Sequence, residues 1–218
     1  MPTAVEAEPP SAAHVFGDRI ELARRFTADL AQYGEPFGLI GPLEAARLWS
    51  RHIINCGVVA PLVQAGGRIG DVGSGAGLPG LVLAIARPDA DFVLIEPMER
   101  RTDWLMSETE RLGLSNVTVL RARAEEVVAT GALDHGRFDQ VTARAVSALS
   151  KLIPLVAPLV HAEGELLFLK GGRVHDEIAA AAAAIRRHRL TRIEVLELGA
   201  GLVPEVTRLF RATVGGAS

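Results

Sequence analysis

Residues 69–80, Ile-Gly-Asp-Val-Gly-Ser-Gly-Ala-Gly-Leu-Pro-Gly, constrain this chain more than any other stretch. Glycines alternate at Gly73, Gly75 and Gly77, an acid precedes them at Asp71, and an apolar run follows at 81–86. That order describes a strand, a tight loop and a helix. Glycine suits such a loop because a side chain would keep a ligand away from the backbone, and because tight turns often need φ > 0. Gly75-x-Gly77-x-x-Gly80 also fits the dinucleotide fingerprint. Two residues speak against that reading. At the loop entrance the charge of Asp71 repels a pyrophosphate but attracts the ammonium and sulfonium of S-adenosylmethionine. Pro79 lacks an N–H at the helix start, where a phosphate would be held. The loop therefore reads as belonging to a methyltransferase rather than a dehydrogenase.

The alternation of elements beyond the loop sets the fold. From residue 68 onward, strands at 68–72, 92–95, 117–121, 138–142 and 164–169 alternate with helices at 79–86, 99–112, 124–129, 147–160 and 176–188. Such alternation implies a parallel sheet covered on both faces. The last two runs, 192–198 and 207–214, have no helix between them and predict a hairpin, with one antiparallel strand in an otherwise parallel sheet. The expected fold is a Rossmann-like α/β sheet of seven strands, the class I S-adenosylmethionine-dependent methyltransferase architecture. Amphipathic helices at 19–33 and 43–54 precede it. The expected organisation is a disordered tail at 1–15, a helical extension at 16–66 and the methyltransferase domain at 67–218, the last two forming one unit.

Strand ends supply the remaining pocket residues. Glu96 ends the second strand 23 positions after Gly73, close to the spacing of about 20 shown by an acid that accepts ribose hydroxyls. The alternative for Glu96 is a solvated strand end. Ala124 and Glu125 follow the third strand, where they border an adenine, open a helix with acids at its positive end, or do both, since a backbone N–H there can meet a base edge. Arg144 ends the fourth strand. It either works where cofactor and substrate meet or pairs with an acid such as Asp71. Lys170 ends the fifth, as an RNA-phosphate contact or a solvated terminus.

The segments Asp71–Gly80, Arg123-Ala-Glu-Glu126, Phe138-Asp-Gln-Val-Thr-Ala-Arg-Ala145 and Gly164-Glu-Leu-Leu-Phe-Leu-Lys-Gly171, with Leu48-Trp-Ser-Arg-His-Ile-Ile-Asn55, resemble one family. It is that of the bacterial small-subunit ribosomal RNA guanine-N7 methyltransferases, also called glucose-inhibited division protein B. The resemblance spans about residues 20–214. It implies S-adenosylmethionine as cofactor, contacts to it at Gly73, Leu78, Ala124, Glu125 and Arg144, and 16S rRNA or the small ribosomal subunit as partner. It also supplies the choice of N7. That choice agrees with the residues: N7 carries a free lone pair at neutral pH, so no general base is needed. Neither an Asn-Pro-Pro-Tyr motif nor a cysteine follows the fourth strand, as amino-group or cytosine-C5 methylation would require. Arg144 is then the catalytic candidate, acting by positioning.

Composition bounds the alternatives. A chain of 218 residues, 49% hydrophobic, suffices for one α/β core. Its single cysteine, Cys56, excludes an internal disulfide, offers no metal site and reads as a small buried hydrophobe. No apolar run approaches the roughly 20 residues that cross a bilayer, and residues 1–13 lack the pattern of a signal peptide, so a cytoplasmic protein with no membrane and no obligate protein partner is expected. The net charge of −3 is not that of a general nucleic-acid coat. Lysine occurs only at Lys151 and Lys170, so nearly all of the 23 basic residues are arginine. Arg47, Arg51 and His52, on one face of the second helix near Trp49, are RNA-binding candidates. The 186–189 cluster is explained as well by capping a helix. Tyr33, Trp49 and Trp104 are the aromatic candidates for base stacking, Trp104 being better suited to packing. A small-molecule methyltransferase and a non-catalytic nucleotide-binding regulator are the competing readings.

Overall fold

Extended runs rich in apolar residues become the strands of one sheet in the computed structural model, which describes residues 5–130 and 136–216. They are β1 (Arg68–Val72), β2 (Asp91–Ile95), β3 (Val117–Leu120), β4 (Phe138–Arg144), β5 (Val160–Lys170), β6 (Leu190–Leu198) and β7 (Thr207–Val214), in spatial order β3-β2-β1-β4-β5-β7-β6. The pairs among β1 to β5 are parallel, and β7 enters antiparallel between β5 and β6. The expected hairpin and its single antiparallel strand are both present.

Helices cover both faces because the strands present apolar side chains on both. One core gathers α1 (Ser11–Phe16), α2 (Ile20–Tyr33), α4 (Gly80–Ala86) and α5 (Glu99–Leu112) against the sheet, around Phe26, Leu81, Phe92 and Trp104. The other gathers α6 (Ala124–Thr130), α7 (Leu149–Val156), α8 (Val174–Ala180) and α9 (Ala182–Arg187), around Phe138, Ile153, Phe168 and Phe210. The run expected as one helix at 147–160 ends early. Pro158 sits in a 3-10 turn, and β5 starts at Val160. The alanine-rich helix is also broken, at Ala181.

Order begins earlier than the sequence suggests. Within the expected tail, Ser11–Phe16 is helical, Ala12 is fully buried, and Ser11 Oγ donates to the Leu202 carbonyl at 2.8 Å. Residues 1–4 lie outside the described residues. The helix expected at 43–54 is replaced by a 3-10 turn, Glu44–Arg47, and a π-helical segment, Leu48–Ile54, that runs into the short α3 (Asn55–Gly57). Leu43 is left-handed (φ 70°) and Arg47 sits at φ −142°, so the chain changes direction twice where the pattern reads as continuous.

Between α2 and α5 two acids face each other. Glu108 is buried beside Asp29, and its Oε2 has no hydrogen-bond partner among the described residues. Arg111 bonds Asp29 at 2.7 Å but stands 3.9 Å from Glu108. Burial first, and then the Asp29 charge, raises the Glu108 pKa well above the carboxylate range. An acid that holds its proton more tightly when folded gains stability as pH falls and loses it as pH rises. Glu108→Gln, whose amide donates to Asp29, should therefore raise the melting temperature at pH 8. The gain should shrink on acidification, as followed by calorimetry across that range.

Candidate active site

Parallel pairing lines up the carboxyl ends of four strands. Val72 pairs with Ile95, Ile95 with Leu120, and Asp71 with Thr142, so the loops leaving β3, β2, β1 and β4 stand side by side. The row reads Ala124 and Glu125, Glu96, the glycine loop, then Arg144. Strand order reverses between β1 and β4, where ligands of open α/β sheets bind.

Gly73, Gly75 and Gly77 all have positive φ (71°, 53° and 93°), a region where a Cβ would strain the chain. The Gly73 N–H donates to the Ile95 carbonyl at 2.9 Å, tying the loop to β2. Glu96, nearly buried, accepts from the Gly75 N–H through Oε2 and from the Met98 N–H through Oε1, both at 3.0 Å. It is therefore not a solvated strand end, and each oxygen keeps acceptor capacity for a ligand hydroxyl. Leu78 is half-buried against the core, Ala124 is buried, and Glu125 is exposed in the first turn of α6.

Asp71 is placed differently from the expectation of a charge at the loop entrance. It is 0% exposed, beneath the loop. Its carboxylate accepts from the Gly80 N–H at 3.2 Å and from Thr142 Oγ1 at 2.7 Å. Burial pushes its pKa up to about 6 against those hydrogen bonds. The side chain thus shapes the loop from inside by holding the first residue of α4.

Trp104 supports the same loop from α5. Its Nε1–H donates to the Ala76 carbonyl at 3.1 Å. Its ring meets Tyr33 and Phe37 at centroid distances of 6.4 and 6.3 Å, joining the helical extension to the loop. Trp49 and Trp104 are both buried, at 4% and 5% exposure, so neither is open to a nucleobase. Tyr33 is half-buried and stacked on Phe37.

Beside the row lies a groove of about 990 Å³. Its walls come from the π-helical segment, the turn after β4, the end of β5 with the start of α8, and the start of β7. Arg47, Arg51, Arg144, Lys170, Arg173 and Arg208 line it, against Asp176, Glu177 and Glu205. The excess of cations suits a phosphate backbone. Arg47 and Arg51 are both close to half-exposed, at 51% and 48%. Lys170 is not a solvated terminus: its side chain is 9% exposed, and Nζ bonds Glu177 at 2.7 Å and the Ser147 carbonyl at 2.8 Å. His52 leaves the basic face altogether and is buried, because the π-helical winding turns it inward.

Arg144 does not pair with Asp71. Nη1 donates to Cys56 Sγ at 3.1 Å, and Nη2 donates to the Arg51 carbonyl at 3.2 Å and to His52 Nδ1 at 2.7 Å. Cys56 is thus a buried hydrophobe that also accepts a hydrogen bond. Sequence reading misses three further features: Glu44 behind His52, the left-handed Ala145 (φ 54°) and Ser147, whose Oγ is buried in the groove wall with no partner among the described residues. Strain of this kind gathers where a turn is held for function. Arg173 and Arg208 had a signal in being basic near strand ends, yet only the fold brings them to one groove.

Comparison with known proteins agrees with this geometry. The family model GidB, rRNA small subunit methyltransferase G, matches residues 19–204. A ribosomal RNA small subunit methyltransferase G from Clavibacter michiganensis subsp. michiganensis is 59% identical, covering 98% of this chain and 98% of that protein. One of the same name from Pseudarthrobacter chlorophenolicus is 50% identical over 95% and 94%. Among solved structures, a SAM-dependent O-methyltransferase from Thermotoga maritima superposes with a TM-score of 0.57 at 19% identity, over 76% of this chain and 66% of that one. Aeropyrum pernix fibrillarin with natively bound S-adenosyl-L-methionine gives 0.53 at 14% identity, over 68% and 67%. These likenesses establish the class I methyltransferase fold. With a family match over most of its length and near-full-length relatives at this identity, the chain belongs to the GidB family, rRNA small subunit methyltransferase G.

Proposed function

We propose that the protein transfers a methyl group from S-adenosylmethionine to N7 of one guanine in 16S rRNA, acting in the cytoplasm on that RNA or on the small ribosomal subunit. The observation that carries this reading is the join between the strand-end row and the cationic groove at Arg144. The names of the relatives supply the ribosomal substrate, and the chemistry below favours N7.

The residues fit the cofactor. The glycine loop is open above Gly75, where an added Cβ would meet nothing nearer than the Gly73 carbonyl at 3.7 Å. Glu96 retains acceptor capacity for ribose hydroxyls, and the start of α6 places Ala124 and Glu125 at the far end of the row for a base edge. Bound there, S-adenosylmethionine supplies an electrophilic methyl group. Asp71 serves from beneath, keeping Gly80 and the loop in place. Arg47 and Arg51, with Arg173 and Arg208 along the groove, hold the RNA backbone, and Lys170 braces the groove wall through Glu177 and the Ser147 carbonyl. Arg144 positions the methionine end of the cofactor or the O6 of guanine. No side chain has to remove a proton from N7, so the catalysis asked of this site is alignment and electrostatics.

The test supplies methyl-labelled S-adenosylmethionine and small subunits lacking the modification, followed by digestion of the RNA. Label recovered as 7-methylguanosine at one position is the expected result. Label in another nucleoside would overturn the site chemistry, and label only in small molecules would favour a metabolite methyltransferase.

A further inference from the structure

A guanidinium at the end of a strand is a long, flexible group. Fixing it costs rotamer freedom unless something holds it. Here three acceptors converge on Arg144, and the shortest contact is His52 Nδ1 at 2.7 Å. Arginine can only donate, so Nδ1 must present a bare lone pair. The ring proton is then on Nε2, which lies 2.6 Å from Glu44 Oε2 and donates to it. His52 is 8% exposed. Burial first, then the Arg144 charge, pushes its pKa down to about 4 despite the opposing pull of Glu44. The ring is therefore neutral at physiological pH. Burial works against the Glu44 charge, but hydrogen bonds from Arg47 and His52 outweigh it, and its pKa falls below the usual range.

We propose that His52 is a positioning residue for methyl transfer: Glu44 fixes its Nε2–H tautomer, and the bare Nδ1 aims the Arg144 guanidinium at the reacting end of the site. This rests on the methyl-transfer reading of Arg144. It removes His52 from the RNA surface and gives it work inside the protein. The device spans two parts of the fold, since Glu44 and His52 belong to the helical extension and Arg144 to the sheet. The π-helical segment is what makes it possible. Such segments often occur at functional sites, and this one turns His52 inward while leaving Arg51 on the rim of the groove.

Two substitutions separate positioning from packing. In His52→Asn the amide oxygen branches where Nδ1 does, so Arg144 keeps an acceptor and only the Glu44 bond is lost. In His52→Gln the amide reaches the Nε2 position instead, and Arg144 loses its partner. Both remove the ring. Expected is a kcat for His52→Gln lower on the order of 100-fold, as for a misplaced catalytic group, with His52→Asn within about tenfold of the unaltered protein. The KM for small subunits should stay unchanged in both, because His52 does not face the groove. A merely structural role would lower both variants alike, and equal losses, or no loss in either, would overturn the proposal.

Nitrogen NMR on the full-length protein gives a readout that needs no activity. The His52 ring should show one proton, on Nε2, at neutral pH. The Arg144 side-chain N–H signals should be slowly rotating in the unaltered protein and in His52→Asn, but averaged in His52→Gln. A proton on Nδ1, or an Arg144 signal indifferent to both changes, would overturn the positioning role. Absence of methyl transfer by the unaltered protein, with these NMR results as expected, would instead overturn the methyl-transfer reading.

Discussion

Arg144→Ala should lower kcat/KM for small subunits by about 100- to 1,000-fold, the loss typical when one preorganised donor is removed from a reacting centre. The fold should survive. Arg144 is the last residue of β4, and its contacts are made by its side chain to Cys56, His52 and the Arg51 carbonyl. Removing it leaves acceptors unpaired, His52 Nδ1 among them, which costs about 1–3 kcal/mol of stability. Arg144→Lys should recover little. A single ammonium cannot reproduce the planar fork that reaches Cys56 on one side and His52 with Arg51 on the other. Steady-state kinetics on labelled subunits decides the matter, and an Arg144→Ala enzyme with near-normal kcat would sink the assignment.

Gly80→Ala should lower stability through a steric clash beneath the glycine loop. A Cβ at Gly80 would lie 2.4 Å from Leu94 Cδ2 and 2.6 Å from Asp71 Oδ2. Neither neighbour can yield easily: Leu94 is fully buried, and the Asp71 carboxylate is held by Thr142. Overpacking of this kind costs about 1–3 kcal/mol. For a protein of this size each kcal/mol moves the melting temperature by roughly 2–4 °C. Alanine's better helix propensity, up to about 1 kcal/mol over glycine, offsets part of that. A scan showing no fall in melting temperature would mean that the loop has room that the distances deny.

The sheet was legible because strand-length runs alternate with helix patterns along the chain, and because no helix pattern separates the last two. The glycine loop was legible because φ > 0 leaves a compositional trace. Other features left none. The period-3.6 pattern at 43–54 is genuine in the sequence, yet the chain breaks at Leu43 and Arg47 and then winds as a π-helix, so the face read as basic loses His52. The orientation of Asp71, buried beneath the loop, was not legible, because one-residue alternation does not say which side of a strand lies under a loop. The partners of Arg144 come from positions 51, 52 and 56, between 88 and 93 residues upstream, and only the packing of the extension against the sheet brings them there. Trp104 was read as a packing residue. Its indole N–H also donates to the Ala76 carbonyl of the glycine loop.

That last contact gives the molecule optical reporters of its own. The chain has two tryptophans. Trp104 is bonded to the floor of the glycine loop, and Trp49 is buried in the segment that carries Arg51 to the groove. Each emits from beneath a different half of the site. With Trp49 changed to Phe, the remaining fluorescence senses the cofactor side, and with Trp104 changed it senses the RNA side. The order in which the two halves fill can then be timed in stopped flow without attaching a dye.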